Sequence, residues 1–251
     1  MLIQVSELVK VWGLKPGGVL HVGAHRAEES TAYEEAGWLP VIWVEAQPEL
    51  VKCLIRDLGR ENHRVLEAAV WDVDGLKKSF KVASNSQSSS LLEFGTHTSA
   101  YPSVRVSDQF EVTTKRLDTL LKDFKIPNFV NLDIQGVEGR AIMSLGKEIE
   151  KVDAIYTEVN KWEVYLGCTL IKDLDVLLQS MGFSRVAVRW VVGKGWGDAL
   201  YLRRNSNRNS LARSALALIY AINYYVPQVS QFAKGKIRKL ILNNWLTQRK
   251  S

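Results

Sequence analysis

GVLHVGAH, residues 18–25, and VIWVEAQP, residues 41–48, decide the fold of this 251-residue chain. The first holds a short apolar run, Val19, Leu20 and Val22, that ends at Gly23-Ala24-His25. A charged, helix-compatible segment from Arg26 to Glu35 follows at once. That order reads as a buried parallel strand, a tight turn and a helix, with turn N–H groups brought toward the strand end. The second run, Val41 to Val44, ends in an acid, Glu45. An acid at that tip suits the two hydroxyls of a ribose, held beyond the carboxyl ends of a doubly wound sheet.

The turn carries one glycine where a dinucleotide fingerprint has three, so no pyrophosphate is expected there. A nucleoside cofactor without phosphate fits better, which points to S-adenosylmethionine. Gly23, Ala24, His25, Glu45 and Ala46 are its candidate contacts, with Ala69 at the end of a third strand, where a flat ring can lie. The plainer alternative is an ordinary strand–helix turn with a surface Glu.

The remaining pattern alternates strands and helices, which predicts an α/β domain with a mostly parallel sheet covered on both faces. Helices are expected over Ile3–Trp12, from Gly23 to Gly37 with Tyr33 facing inward, from Pro48 to Gly59, and over Leu117–Phe124, Val137–Leu145 and Leu170–Met181. Strands are expected at Val65–Val70, Asn128–Leu132 and Ala154–Val159. Gly182–Trp190 and Ala199–Arg203 read as a closing antiparallel pair. Leu76–Val82 and Gln109–Thr113 alternate like strands around a polar loop, Ser84–Ser90.

Charge divides the chain. Residues 1–198 hold 27 acidic and 23 basic residues, whereas the rest hold ten basic and no acidic ones. The boundary expected is near Asn205, giving a domain over 1–204 and a basic extension over 205–251. In the extension, Leu211–Val226 is almost wholly apolar, and Val229–Leu246 sets Phe232, Ile237, Leu240, Ile241 and Trp245 among lysines and arginines. Such a segment, residues 210–248, suits an anionic membrane surface, or equally a helical hairpin packed on the body or on a second copy in a homo-oligomer. No leader-like segment and no spanning run of apolar residues is read, so the expected place is cytoplasmic, peripheral at the inner membrane face. The two cysteines give no disulfide framework. Nucleic acid is the less favoured partner, because the body is acidic and shows no aromatic–basic stacking platform.

Taken together, HVGAH, VEAQP, NSQSSSLL (85–92), NLDIQGVEG (131–139), YTEVN (156–160) and GWGDALYL (195–202) resemble the FkbM family of S-adenosylmethionine-dependent methyltransferases, over about residues 15–203. The resemblance implies a seven-stranded Rossmann-like sheet whose last strand is antiparallel. It also implies O-methylation, commonly of a sugar hydroxyl in a glycan, polysaccharide or glycosylated product. Gly23 and Ala24 match the family's cofactor turn, Glu45 its ribose acid, Asp133 the acid of its fourth-strand motif and Glu138 the acid after the glycine. Asn131 and Gln135 stand where the commoner form has Lys and Glu, a variant that looks like a subgroup with Trp-Gly-Asp near its end. A lipid or small natural product as acceptor, and an RNA-modifying protein using the basic tail, are the alternatives.

An alcohol is a poor nucleophile, so a base or a metal must assist. Asp133 and Glu158, at adjacent strand ends, and His97, in the irregular insert, are the catalytic candidates. The same three are candidate ligands for a divalent cation such as magnesium. Ser88, Ser89, Ser90, Gln135, Asn160, Tyr165 and Trp196 are the candidate substrate contacts, with the aromatic residues as a wall for a sugar face. His21, inside the first strand, reads as a core histidine.

Overall fold

Strand β1 (Val19–Val22) is buried at every position because it lies in the middle of a sheet covered on both faces. It pairs in parallel with β2 (Val41–Glu45) on one side and with the strand Phe129–Leu132 on the other. The computed structural model describes residues 1–59 and 61–204. The basic extension, including the segment read as membrane-binding, lies outside the described residues.

Beyond β2 the sheet ends in β3 (His63–Glu67), and the chain then leaves it within one residue. The strand expected over Val65–Val70 is therefore two strands. Ala69–Val70 is β4 of a separate three-stranded sheet, with β5 (Lys77–Ala83) and β6 (Val106–Lys115) in the order β4-β6-β5. Phe129–Leu132 is then β7, followed by β8 (Ala154–Asn160), β9 (Phe183–Trp190) and β10 (Trp196–Arg203). The main sheet runs β3-β2-β1-β7-β8-β10-β9, and β10 is antiparallel to both neighbours. This is the seven-stranded, mostly parallel sheet with an antiparallel last strand that the resemblance implies.

One sheet face is covered by α1 (Val5–Trp12), α2 (Ser30–Glu35) and α3 (Pro48–Leu58), through Leu8, Trp12, Tyr33 and Leu54. The other is covered by the later helices, through Leu117, Leu121, Ala141, Ile142, Leu174 and Leu178. Each helix delivers an apolar stripe to a continuous-run strand, the pattern that buries a parallel sheet on both sides. Tyr33 is fully buried, as expected. Among the described residues no helix is long and apolar enough to cross a membrane.

The helix expected to start just after Gly23 begins only at Ser30. His25 and Ala27 have φ of 47° and 53°, in the left-handed region, which a right-handed helix cannot contain. The helix expected over Leu117–Phe124 is a single turn, Leu117–Leu120, and β10 starts three residues earlier than expected, at Trp196.

Candidate active site

Gly23 has φ +86°, and a Cβ there would stand 1.9 Å from the Asp133 carbonyl oxygen. The tips of β1 and β7 thus touch backbone to backbone, and only glycine permits it. The turn after β1 does not present free N–H groups, contrary to expectation. Those of Gly23 and Ala24 donate to the Val44 carbonyl at 2.9 and 3.0 Å, and that of His25 donates to Glu45 Oε2 at 2.8 Å. Glu45 also accepts from the N–H groups of Ala46 and Gln47, each at 2.9 Å. It is 5% exposed, and burial raises its pKa despite these three donors. A carboxylate accepts about four hydrogen bonds, which leaves capacity for a ligand hydroxyl.

A narrow cleft of about 60 Å³ opens beside these groups. Gly23, His25, Glu45 and Ala46 line it, with Ala69 and Phe80 from the small sheet. Among the described residues no Lys or Arg lines it, which suits a cofactor without phosphate. A second cavity of about 410 Å³ adjoins it, and Gly23, His25, Gln87, Asp133 and Gln135 border both. These five residues form the neck between a cofactor compartment and a larger one. Ala24 faces the larger cavity.

Asp133 follows β7 and Glu158 lies in β8; with Asp198 of β10 they form a row of acids across three adjacent strands. Glu158 and Asp198 are direct cross-strand partners, each 6% exposed. Gln135 Nε2 donates to Asp133 Oδ1 at 2.7 Å and to Glu158 Oε2 at 2.9 Å. The side-chain oxygen of the same amide, Gln135 Oε1, in turn accepts from the Tyr165 hydroxyl. Asp133 is open to the cavity yet deep in it, and thin hydration, then the charge of Asp198, pushes its pKa up to about 6. Glu158 is raised well above the usual range by burial and by the neighbouring carboxylates. Glu138 is pushed up to about 7 by burial while accepting the Ile134 and Gly136 N–H groups at 3.1 Å, so it shapes the turn below the neck.

Asp133, Glu158 and His97 do line one cavity, but they do not make the expected cation site. The amide N–H₂ of Gln135 occupies the position between the two carboxylates, and a donor there excludes a cation. Among the described residues no group of three His, Cys, Asp or Glu side chains is placed to hold a metal. His97 is 3% exposed and packed against Phe94, Tyr101 and Tyr165, with ring centroids 4.5, 5.1 and 5.4 Å away. Burial lowers its pKa, and its Nδ1 has no hydrogen-bond partner.

The serine loop is committed mainly to itself. Ser89 Oγ donates to the Ser86 carbonyl at 2.6 Å and borders the cofactor cleft. Ser90 Oγ donates to the Gln135 carbonyl at 2.8 Å, holding the turn, and borders neither space. Ser88 alone of the three faces the larger cavity. Tyr165 and Trp196 line that cavity as expected, with Tyr101, whose hydroxyl accepts from Trp196 Nε1 at 2.9 Å. Asn160 does not; it is fully buried, and its side-chain oxygen and nitrogen have no partner. Gln87, Tyr101 and the pairing of Asp198 with Glu158 were not read from sequence. An acid standing at the head of the apolar run ALYL was the available signal for Asp198.

The structure is similar to magnesium protoporphyrin IX methyltransferase from Synechocystis PCC 6803 with bound S-adenosylmethionine, at 12% identity and TM-score 0.47 over 79% of this chain and 76% of that one. It is also similar to a ribosomal protein L11 methylase from Lactobacillus delbrueckii subsp. bulgaricus, at 10% identity and TM-score 0.47 over 80% and 77%. TrmK of M. capricolum with S-adenosylhomocysteine matches at 10% identity and TM-score 0.40 over 93% and 96%. None of these likenesses is close enough to transfer a substrate. No curated relative matches the sequence. The family model described as Methyltransferase FkbM domain matches residues 21–185, which takes in the Gly23 turn, Glu45, the small sheet and the acids of β7 and β8, so the chain belongs to the FkbM methyltransferase family.

Proposed function

We propose that the protein is an S-adenosylmethionine-dependent O-methyltransferase whose acceptor is a sugar hydroxyl of a glycan, polysaccharide or glycosylated product. The observation that carries this reading is Asp133 at the neck between a phosphate-averse cleft and a larger cavity walled by Tyr101, Tyr165 and Trp196. Bound S-adenosylmethionine supplies a methyl group activated on a sulfonium. Gly23, by its missing side chain, lets the two strand tips close beneath the cofactor. Glu45 has acceptor capacity for ribose hydroxyls, and Ala46, Ala69 and Phe80 give the cleft apolar walls. The aromatic wall offers flat faces against which the C–H face of a sugar packs. With the donor bound, Asp133 is placed to take the proton of the acceptor hydroxyl as that oxygen is methylated. A base that titrates near 6 is mostly ionised at neutral pH and still basic enough to accept a proton in the transition state. No step is assigned to a metal, because Gln135 fills its place.

Calorimetric titration of S-adenosylmethionine and S-adenosylhomocysteine, with Glu45→Ala alongside, tests the cofactor assignment. Binding that the variant weakens supports it; no binding by folded protein overturns it. Mass gain of one methyl group on oligosaccharide acceptors then tests the substrate class. The basic segment 210–248 supports attachment to an anionic membrane surface where such glycans are assembled. Equal liposome pelleting by the full chain and by one ended at Asn205 would sink that attachment.

A further inference from the structure

Glu158 and Asp198 face each other directly across β8 and β10, both 6% exposed, with Asp133 next in the row. Directly opposed like charges destabilise a sheet, and buried carboxylates are costly without a counter-charge. The structure supplies little of one. Among the described residues five carboxylates, Glu28, Glu29, Asp133, Glu158 and Asp198, line the larger cavity, and no Lys or Arg does. The Met1 ammonium reaches it, pairs with Glu29 at 3.0 Å and also draws the charges of Asp133 and Asp198, one cation among five acids. His25 is engaged by Glu28 at 2.6 Å, and buried His21 and His97 are both held toward the neutral form.

The acids are also incompletely satisfied. Asp198 accepts the Leu2 N–H at 2.6 Å and the Tyr156 hydroxyl, both on Oδ2. Glu158 accepts the Gln135 amide on Oε2. Among the described residues that leaves Asp198 Oδ1 and Glu158 Oε1 without a hydrogen-bond donor, on residues more than nine-tenths buried that border the cavity. Neither residue borders the cofactor cleft, so their charge is not accounted for by the sulfonium at the neck. Tyr101, Tyr165 and Trp196 add electron-rich ring faces to the same space.

We infer that the acceptor carries a protonated amine, held by Glu158 and Asp198, and that acceptors bearing phosphate or carboxylate are excluded. The class is an amino sugar, or a saccharide displaying a free amine near the methylated hydroxyl. An ammonium supplies three donors and one charge, which match two inward oxygens and relieve the repulsion between them. A phosphate or uronate in the same place would meet five carboxylates and, among the described residues, no lysine or arginine lining the cavity to receive it.

This inference rests on the methyltransferase reading, and its test separates the two. The full chain, with Met1 retained and any tag at the other end, is saturated with S-adenosylhomocysteine and titrated with three probes: glucosamine, N-acetylglucosamine and galacturonate oligosaccharides of equal length. The amine-bearing oligosaccharide is expected to bind roughly tenfold or more tighter than the N-acetylated one, and the acidic one not measurably. Asp198→Asn is expected to abolish that preference while S-adenosylhomocysteine still binds; Glu158→Gln serves the same purpose should Asp198→Asn misfold. Equal binding of the amine and N-acetyl probes, or a preference that survives both substitutions, overturns the amine assignment alone. Failure to bind S-adenosylhomocysteine overturns the methyltransferase site and this inference with it.

Discussion

His25 Nε2 lies 2.8 Å from Ser86 Oγ, so the turn after the first strand of the main sheet is tied to the loop of the small sheet. The same imidazole is fixed through Nδ1 by Glu28 at 2.6 Å. The loop therefore roofs the narrow cofactor cleft, with Ser86, Gln87 and Ser89 on its underside. Ser86→Ala removes one hydrogen bond worth about 0.5–1.5 kcal/mol. The expected result is S-adenosylhomocysteine release about 2- to 10-fold faster, read by stopped-flow fluorescence. An unchanged release rate would show that the roof is held elsewhere.

Asp133 is the group on which chemistry depends in our reading. Its pKa is raised to about 6, by desolvation within the cavity first and by the charge of Asp198 second. A base works unprotonated, so kcat is expected to climb as pH rises through about 6 and then level off. Asp133→Asn is expected to lower kcat by about 10²–10⁴-fold. It should also erase the acidic limb while S-adenosylhomocysteine affinity stays within a few-fold. Retention of the limb in the variant would move the base to another residue.

Gly23→Ala places a methyl group 1.9 Å from the Asp133 carbonyl at a φ of +86°. Left-handed strain and the forced parting of β1 and β7 together cost about 2–4 kcal/mol. Urea denaturation is the measurement, and a midpoint equal to that of the wild type would refute the close approach.

His21 is buried in β1, its ring tilted against Trp43 with centroids 4.9 Å apart, and burial lowers its pKa to about 4. Its folded pKa lies below its unfolded one, so the unfolded chain binds the extra proton between about pH 6.5 and 4. The stability tied to its neutral form is present above that window and lost as pH falls through it. His21→Gln has no such proton to take up. The gap in melting temperature between wild type and variant is therefore expected to narrow as pH falls from 7 toward 4. A constant gap would mean that His21 takes up its proton at the same pH in the folded and the unfolded chain, so that burial does not hold its pKa down.

Much of this site was legible because local pattern placed it. The run VLHV, its turn glycine and the acid closing VIWVE set the neck's first two walls, and all three sit at strand ends as the periodicity required. What stayed hidden was non-local or conformational. Asp198 meets Glu158 only through antiparallel register, which joins residues forty apart. Ala68 gives no sign that the chain changes sheets there, because both sheets ask for the same apolar strand residues. His25, Ala27 and Gln135 adopt φ of 47°, 53° and 56°, and nothing in their side chains announces a left-handed backbone. His97 looked like a loop histidine over a sugar; aromatic neighbours from three separate positions enclose it instead.

One stretch of hairpin loop bounds both compartments: Ser86 and Gln87 over the cofactor cleft, Asn85, Gln87 and Ser88 beside the acceptor cavity. Whatever lifts the loop to admit the donor also dismantles a wall of the acceptor's room. The consequence concerns sequence in time. In our reading the acceptor meets a complete surface only with this loop in place, so donor-first binding is the order expected in product-inhibition kinetics.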